Sequence, residues 1–288
     1  MNIKNIILLS LFATNITSIL CKQQYFTLFS HGIADTWKQV YGYTKSYTID
    51  DCVYQNERYL FHTPFVSFNY PDATDKFYRV NYHETSFGQE NEINRLYKAY
   101  NSTLSRHNNC NIILYGLSRG ASNLLIFAGL YDIANVKAIV LESPYYTMSE
   151  VIENFVMRKN LNYLPLSYWE SLAEFIFKKY SRNGLSPAKC IENISKDIPI
   201  LIICSQEDHL VPCSSSINVY KKLIESGHKN TYIFITDTGR HAAILKGSEG
   251  EEYEYVVNAF YKKYNLPHNA VSAAKGKNLL ALCQPIFN

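Results

Sequence analysis

Residues 110–129, CNIILYGLSRGASNLLIFAG, constrain the rest of the chain more than any other stretch. Ile112, Ile113, Leu114 and Tyr115 make a short unbroken apolar run, the pattern of a strand buried on both faces. Gly116-Leu117-Ser118-Arg119-Gly120 follows without a gap, and Ala121, Leu124, Leu125, Ile126 and Ala128 then read as a buried helix. A strand that becomes a helix over so few residues must turn sharply. Glycines on either side of Ser118 remove the side chains that such a turn would crush. Strand, G-x-S-x-G, helix is the setting of a nucleophile elbow: the turn lifts a serine hydroxyl off the sheet and aims it at a helix N-terminus, where free N–H groups can hold an oxyanion.

The same alternation runs on both sides of the elbow. Strands are expected at Tyr25–Ser30, Phe65–Asn69, Val136–Leu141, Ile198–Cys204 and Thr231–Ile235. Helices are expected from Asp35, as cap, to about Tyr47, and from a Ser86-x-x-Gln89 capping box through Ile93, Leu96, Tyr97, Tyr100 and Leu104. Further helices carry Tyr220, Leu223 and Ile224, ending near Gly227, and span Glu251 to Tyr264. Strand–helix–strand crossovers in this rhythm build a mostly parallel sheet of about six strands with helices on both faces, an α/β fold. Residues 47–63 have no assignable element, and residues 265–288 form a tail without a clear role.

In open α/β sheets the chemistry gathers at the carboxyl ends of the strands. Ser118 ends one strand, Asp208 follows the Ile198–Cys204 strand just ahead of Val211-Pro212, and His241 follows the Thr231–Ile235 strand. Serine, acid, histidine in that order, with the elbow, resembles the α/β-hydrolase family. The resemblance covers roughly Tyr25 to Tyr264. It implies that Ser118 is the nucleophile, His241 the base and Asp208 the acid. It also implies an oxyanion hole made by the backbone N–H groups of Ile33, after the His31-Gly32 turn, and of Arg119. Gly32 is expected to permit that turn, and His31 to be structural. Glu142, at the end of Val136–Leu141, is the rival acid; Glu207 and His209 read as bystanders, and His228 precedes its strand and makes a poor base. Fuller members of the family begin with an antiparallel strand pair, which this chain is expected to lack.

Residues 145–185 are too long for a plain connection. Val151, Ile152, Phe155 and Val156 suggest one helix; a Ser167-x-x-Glu170 capping box opens a second through Leu172, Ala173, Phe175, Ile176, Phe177 and Tyr180. Caps and lids sit at this point of the resembled fold, so the expectation is an apolar lid in which Phe175 and Phe177 meet the acyl group of a substrate. The alternative is that these aromatics pack on the sheet edge.

Composition sets the outer bounds. A chain of 288 residues, 47% hydrophobic, suits one domain with a lid, and a net charge of +3 without a Lys/Arg cluster gives no reason to expect nucleic acid. Lys4 followed by the apolar Ile6–Ala13 reads as a secretory signal peptide over residues 1–21, with cleavage after Ser18 or Cys21, leaving 22–288 as the hydrolase domain. That core is too short to span a bilayer, so an exported protein, periplasmic or secreted, without a stable membrane span is expected. Six cysteines then remain, an even number that permits disulfides; Cys110, Cys190 and Cys204 also suit buried thiols. The residues as a set point to a serine hydrolase needing no metal or cofactor and acting on a small-molecule ester or acyl substrate. A peptidase of prolyl-oligopeptidase or aminopeptidase type, a thioesterase, and a non-catalytic binding protein on the same fold are the alternatives.

Overall fold

The computed structural model describes residues 24–73 and 80–284. The segment expected to be a signal peptide, with Lys4 and Cys21, lies outside them. A six-stranded, wholly parallel sheet is ordered β4-β1-β5-β6-β7-β8. Its strands are β1 (Tyr25–Ser30), β4 (Phe65–Ser67), β5 (Asn111–Leu117), β6 (Val136–Glu142), β7 (Ile200–Ser205) and β8 (Thr231–Thr236). Strands β2 (Ser46–Ile49) and β3 (Cys52–Gln55) form a separate antiparallel hairpin inside the stretch that the sequence left unassigned.

The apolar runs are continuous because both faces of the sheet are covered. Alternate residues fall on opposite sides. Ile112, Leu114, Ile139, Leu141, Ile200 and Ile202 pack under one set of helices. This set is α1 (Glu90–Arg106), α2 (Arg119–Leu130) and α5 (Cys213–Glu225), which contribute Leu96, Leu124 and Val219 among others. Ile113, Tyr115, Ala138, Val140, Leu201 and Ile203 pack on the other side against α6 (Gly250–Lys263), through Tyr253, Val256, Val257 and Phe260. Each fully buried aliphatic side chain contributes about 1.5–3 kcal/mol, so these two layers hold the sheet that positions the site.

Several expected details differ. The helix from Asp35 is only a 3₁₀ segment, Trp37–Tyr43, and its N-cap is Thr36. The Ser86–Gln89 capping box does not form: α1 starts at Glu90, and Glu92 reaches back to accept from the Ser86 and Gly88 amides at 2.9 and 3.0 Å. A carboxylate in the first turn of the helix thus holds the loop that leads into it. The second capping box also fails, because Pro165 opens the helix and the Glu170 carboxylate accepts instead from the Ser149 hydroxyl. The tail has a role after all. Asn269 caps α7 (Ala270–Leu282), which packs along α6 and buries Ala273 and Leu280, and the Cys283 carbonyl accepts from the Ile233 amide at the sheet edge.

Residues 145–185 form α3 (Met148–Arg158) and α4 (Leu166–Ile176). Ile152, Val156, Ala173 and Tyr180 make a small core of their own with Phe87, against which Ile33, Trp169 and Phe177 pack. Phe177 stacks edge-on against Phe87 with centroids 4.8 Å apart. Phe175, by contrast, is 76% exposed and does not line the cavity that holds Ser118.

Candidate active site

Ser118 stands between β5 and α2 at φ 55°, ψ −120°, a backbone conformation that side chains rarely adopt. The neighbours make the turn feasible. A Cβ on Gly116 would come within 2.7 Å of the Ala121 backbone, and one on Gly120 within 2.0 Å of the Ser30 carbonyl oxygen. The second glycine lets the N-terminus of α2 press against the end of β1, which brings the two candidate oxyanion loops together. Gly32 is different: a Cβ there would meet nothing closer than 3.7 Å, so the turn after β1 has no steric need for glycine.

The strand ends deliver the other groups. His241 Nδ1 lies 2.7 Å from Asp208 Oδ2, while Asp208 Oδ1 accepts from the amides of Leu210 and Val211 at 2.9 and 3.0 Å. Burial pushes the Asp208 carboxyl up, but the hydrogen bond and charge of His241 and the Val211 amide outweigh it and hold it below the ordinary carboxylate value. Cys204 and Cys213 form a disulfide that ties together the two ends of the Asp208 loop, so Cys204 is not the free buried thiol it resembled. Cys52, Cys110, Cys190 and Cys283 are free. Gly239, at φ 126°, lets the loop after β8 bend back towards Asp208.

Glu207 and His209 stand beside the Asp208–His241 pair and hold the surrounding chain. Glu207 Oε2 accepts from the Gly239 amide at 3.2 Å, linking the acid loop to the histidine loop. The His209 carbonyl accepts from Asn154 and Arg158 of α3, so this helix is fastened to the acid loop. Glu142 stands one strand away from Asp208 and has different partners. Its Oε2 accepts from the hydroxyls of Tyr43, Tyr115 and Tyr253 at 2.9, 3.2 and 2.7 Å. Burial raises the Glu142 carboxyl above its ordinary value, and these three phenols only partly offset that. His228 is buried beside Lys196, away from these loops.

Ser118 and His241 line one cavity of about 640 Å³, as do Ile33 and Arg119. Its wall is otherwise largely apolar, with Phe87, Val156 and Trp169 among the side chains that α3, α4 and their surroundings supply. No hydrogen bond joins the Ser118 hydroxyl to His241 among the described residues, and this contact often tightens only when a substrate is bound. The backbone N–H groups of Ile33 and Arg119 also have no acceptor among the described residues. Among the described residues no group of three or more His, Cys, Asp or Glu side chains is arranged to hold a metal ion.

Comparison with solved structures places this architecture. The Pyrococcus furiosus esterase Pf2001 superimposes with a TM-score of 0.57 at 17% identity, covering 84% of this chain and 83% of that one. The Pyrococcus horikoshii acylaminoacyl peptidase gives 0.57 at 16% identity, over 83% of this chain and 37% of the peptidase. A Mycobacterium tuberculosis protein described as a non-heme bromoperoxidase, BpoC, gives 0.53 at 12% identity over 83% and 92%. The chain has the α/β-hydrolase fold. No family model matches the sequence. Two curated relatives are similar to it: uncharacterized protein YqkD of Bacillus subtilis, 29% identical over 133 residues, and uncharacterized protein R595 of Acanthamoeba polyphaga mimivirus, 28% identical over 140 residues. These matches take in 45% and 47% of this chain and only 41% and 44% of the relatives' own lengths, so the chain matches less than half of each.

Sequence reasoning missed the surroundings of Arg119. Its guanidinium is buried in an ion pair with Asp72 and a second with Glu92 at 3.1 Å, it lies 4.6 Å from the centre of the Tyr70 ring, and it donates to the Gly32 carbonyl at 3.2 Å. Asn123 donates to the other Glu92 oxygen at 2.8 Å. The only signal was an arginine next to the elbow serine, flanked by residues that had to be buried. Nothing in the spacing tied it to carboxylates 47 and 27 positions away.

Proposed function

We propose that this chain is a serine hydrolase, and specifically a carboxylic ester hydrolase that works through an acyl-enzyme on Ser118. The observation that carries the reading is the joint placement of a strained elbow serine and an Asp208-bound histidine on one apolar cavity. His241 takes the hydroxyl proton as Ser118 Oγ adds to the ester carbonyl. Asp208 holds the imidazole with its Nδ1–H towards the carboxylate, leaves the other ring nitrogen for the serine, and stabilises the imidazolium that forms. The free amides of Ile33 and Arg119 donate to the developing oxyanion. Collapse of the tetrahedral species transfers the proton from His241 to the leaving alcohol. Water then attacks the acyl-enzyme with His241 again as base.

In this reading α3 and α4 are a lid, and the apolar wall they supply takes the acyl chain. A cavity of about 640 Å³ with a largely apolar lining suits an acyl group of medium length. The fold neighbours named as an esterase and an acylaminoacyl peptidase support a hydrolase of this general kind. A panel of p-nitrophenyl esters, thioesters and aminoacyl amides tests the substrate class. Faster turnover of medium-chain esters than of every amide is the expected result, and preference for an aminoacyl amide over all esters would favour the peptidase. Export is proposed alongside, from the Lys4 and Ile6–Ala13 pattern. N-terminal sequencing of native protein should find a start between about Ile19 and Gln23, and a start at Met1 would contradict it.

A further inference from the structure

If Ser118 is a nucleophile, the amide of Ile33 must point at its reacting carbonyl, yet that amide sits in a loop that belongs to no helix or strand. A helix N-terminus aims its N–H groups automatically. A loop does not, and with Gly32 free of any steric need for glycine the local backbone does not force the orientation either. Something else has to fix the Gly32–Ile33 peptide.

A trans peptide carries its C=O and its following N–H on opposite edges of one plane. Fixing the Gly32 carbonyl therefore fixes the direction of the Ile33 N–H. Two donors fix it. His31 Nδ1 lies 2.7 Å from the Gly32 oxygen, and Arg119 Nη2 lies 3.2 Å from it. The His31 tautomer is set, because its Nε2 accepts from the Tyr70 amide at 3.2 Å and so leaves the proton on Nδ1. The Arg119 guanidinium is fixed in turn from three directions. Asp72 comes from the loop after β4, Glu92 from the first turn of α1, and the Tyr70 ring covers its face. Glu92 is itself immobilised by the Ser86 and Gly88 amides and by Asn123.

We propose that Arg119 is a positioning residue for the oxyanion hole: its side chain, clamped by Asp72 and Glu92, grips the Gly32 carbonyl and thereby aims the Ile33 N–H into the Ser118 cavity, while its own backbone N–H is the second donor. One residue then sets both halves of the hole. The division of labour in the guanidinium makes this specific to arginine. Nη1 serves the two carboxylates and Nη2 serves the carbonyl. A lysine ammonium is a single point and can stay with the carboxylates but cannot also reach Gly32.

The inference rests on the serine hydrolase reading, and its test separates the two. Arg119→Lys keeps the charge and the backbone N–H and loses the grip. Its kcat on a p-nitrophenyl ester should fall about 10- to 100-fold with KM within about threefold. That is less than the 10²–10³ that follows removal of a donor outright, because His31 retains its hold. Affinity for a trifluoromethyl ketone, whose adduct carries the oxyanion, should fall by the same factor. Affinity for an unreactive alcohol analogue of the ketone should not change. A structural defect alone would lower the melting temperature and weaken both ligands together, and that result overturns the proposal, as does wild-type kcat in Arg119→Lys. Should that variant not fold, Asp72→Asn replaces it. It frees one side of the guanidinium and should give the same kcat-selective pattern at about a tenfold loss, with an unchanged ketone-to-alcohol ratio counting against the proposal. Wild-type protein that a fluorophosphonate fails to label at Ser118 would overturn both readings; labelled wild type with an unaffected Arg119→Lys would overturn only this one.

Discussion

Two carboxylates stand at the carboxyl ends of adjacent strands, and their surroundings assign them different work. Asp208 faces an imidazole at 2.7 Å and two loop amides, all of which favour its anion. Glu142 is enclosed by the hydroxyls of Tyr43, Tyr115 and Tyr253, one of which also contacts another, as Tyr115 does Tyr253. Both are buried, yet the first is held below its ordinary carboxylate value and the second above it. What separates them is the partner: a group able to take up positive charge in one case, neutral phenols in the other. The first pairing can follow a proton during a reaction. The second joins the 3₁₀ segment, β5, β6 and α6 through one buried polar knot.

The comparison can be broken most directly by removing each charge while keeping its shape. Asp208→Asn should lower kcat by about 10⁴-fold, because the amide disfavours the tautomer His241 needs, with the fold intact by circular dichroism. Glu142→Gln should retain kcat within about threefold and lower the melting temperature, since an amide NH₂ in the place of Glu142 Oε1, which has no hydrogen-bond partner among the described residues, is a buried donor left unpaired. A large loss of kcat in Glu142→Gln with normal stability would show that the two sites had been assigned the wrong way round.

Titration sharpens the contrast further. The folded Asp208 carboxyl lies below its unfolded value, so its contribution to stability is present above that value and is lost as pH falls through the folded one. The folded Glu142 carboxyl lies above its unfolded value of about 4.5, so its contribution is present at low pH and is lost as pH rises through the folded value. Urea midpoints should therefore fall less steeply with acid below pH 3.8 in Asp208→Asn, and more steeply with acid above pH 4.5 in Glu142→Gln, than in the parent. His31 adds to the acid-side loss in all three proteins. Burial and the neighbouring Arg119 charge push it down to about 3, so only the unfolded chain takes up its proton as pH falls below 6.5. The smallest effect concerns the wall. Phe177→Ala should flatten the dependence of kcat/KM on acyl length, which otherwise rises roughly tenfold per two carbons at about 0.8 kcal/mol per CH₂ until the cavity fills. Phe175→Ala, outside the cavity, should leave the profile unchanged.

Much of this was legible because it depends on local pattern. The elbow is one contiguous stretch, and Asp208 and His241 each follow an apolar strand, so periodicity and order located them. The Tyr–Glu knot and the Arg119 clamp were not legible. Their members lie on four or more separate elements, and no spacing rule joins Tyr43 to Tyr253 or Asp72 to Arg119. The capping boxes failed for a related reason. Ser86-x-x-Gln89 and Ser167-x-x-Glu170 carry the right residue types, but Gln89 and Pro165 stand at the actual helix starts, without a side-chain cap. Asn269, which truly caps its helix, lay in a tail whose partner α6 could be identified only in three dimensions.

The central claim is that Ser118 is an activated nucleophile. Wild-type protein incubated with a fluorophosphonate and digested should yield one labelled peptide, the one carrying Ser118, and Ser118→Ala should fold normally, take no label and lose more than about a thousandfold in esterase rate. Label retained by folded Ser118→Ala, or a wild-type chain that stays unlabelled while correctly folded, would contradict the account.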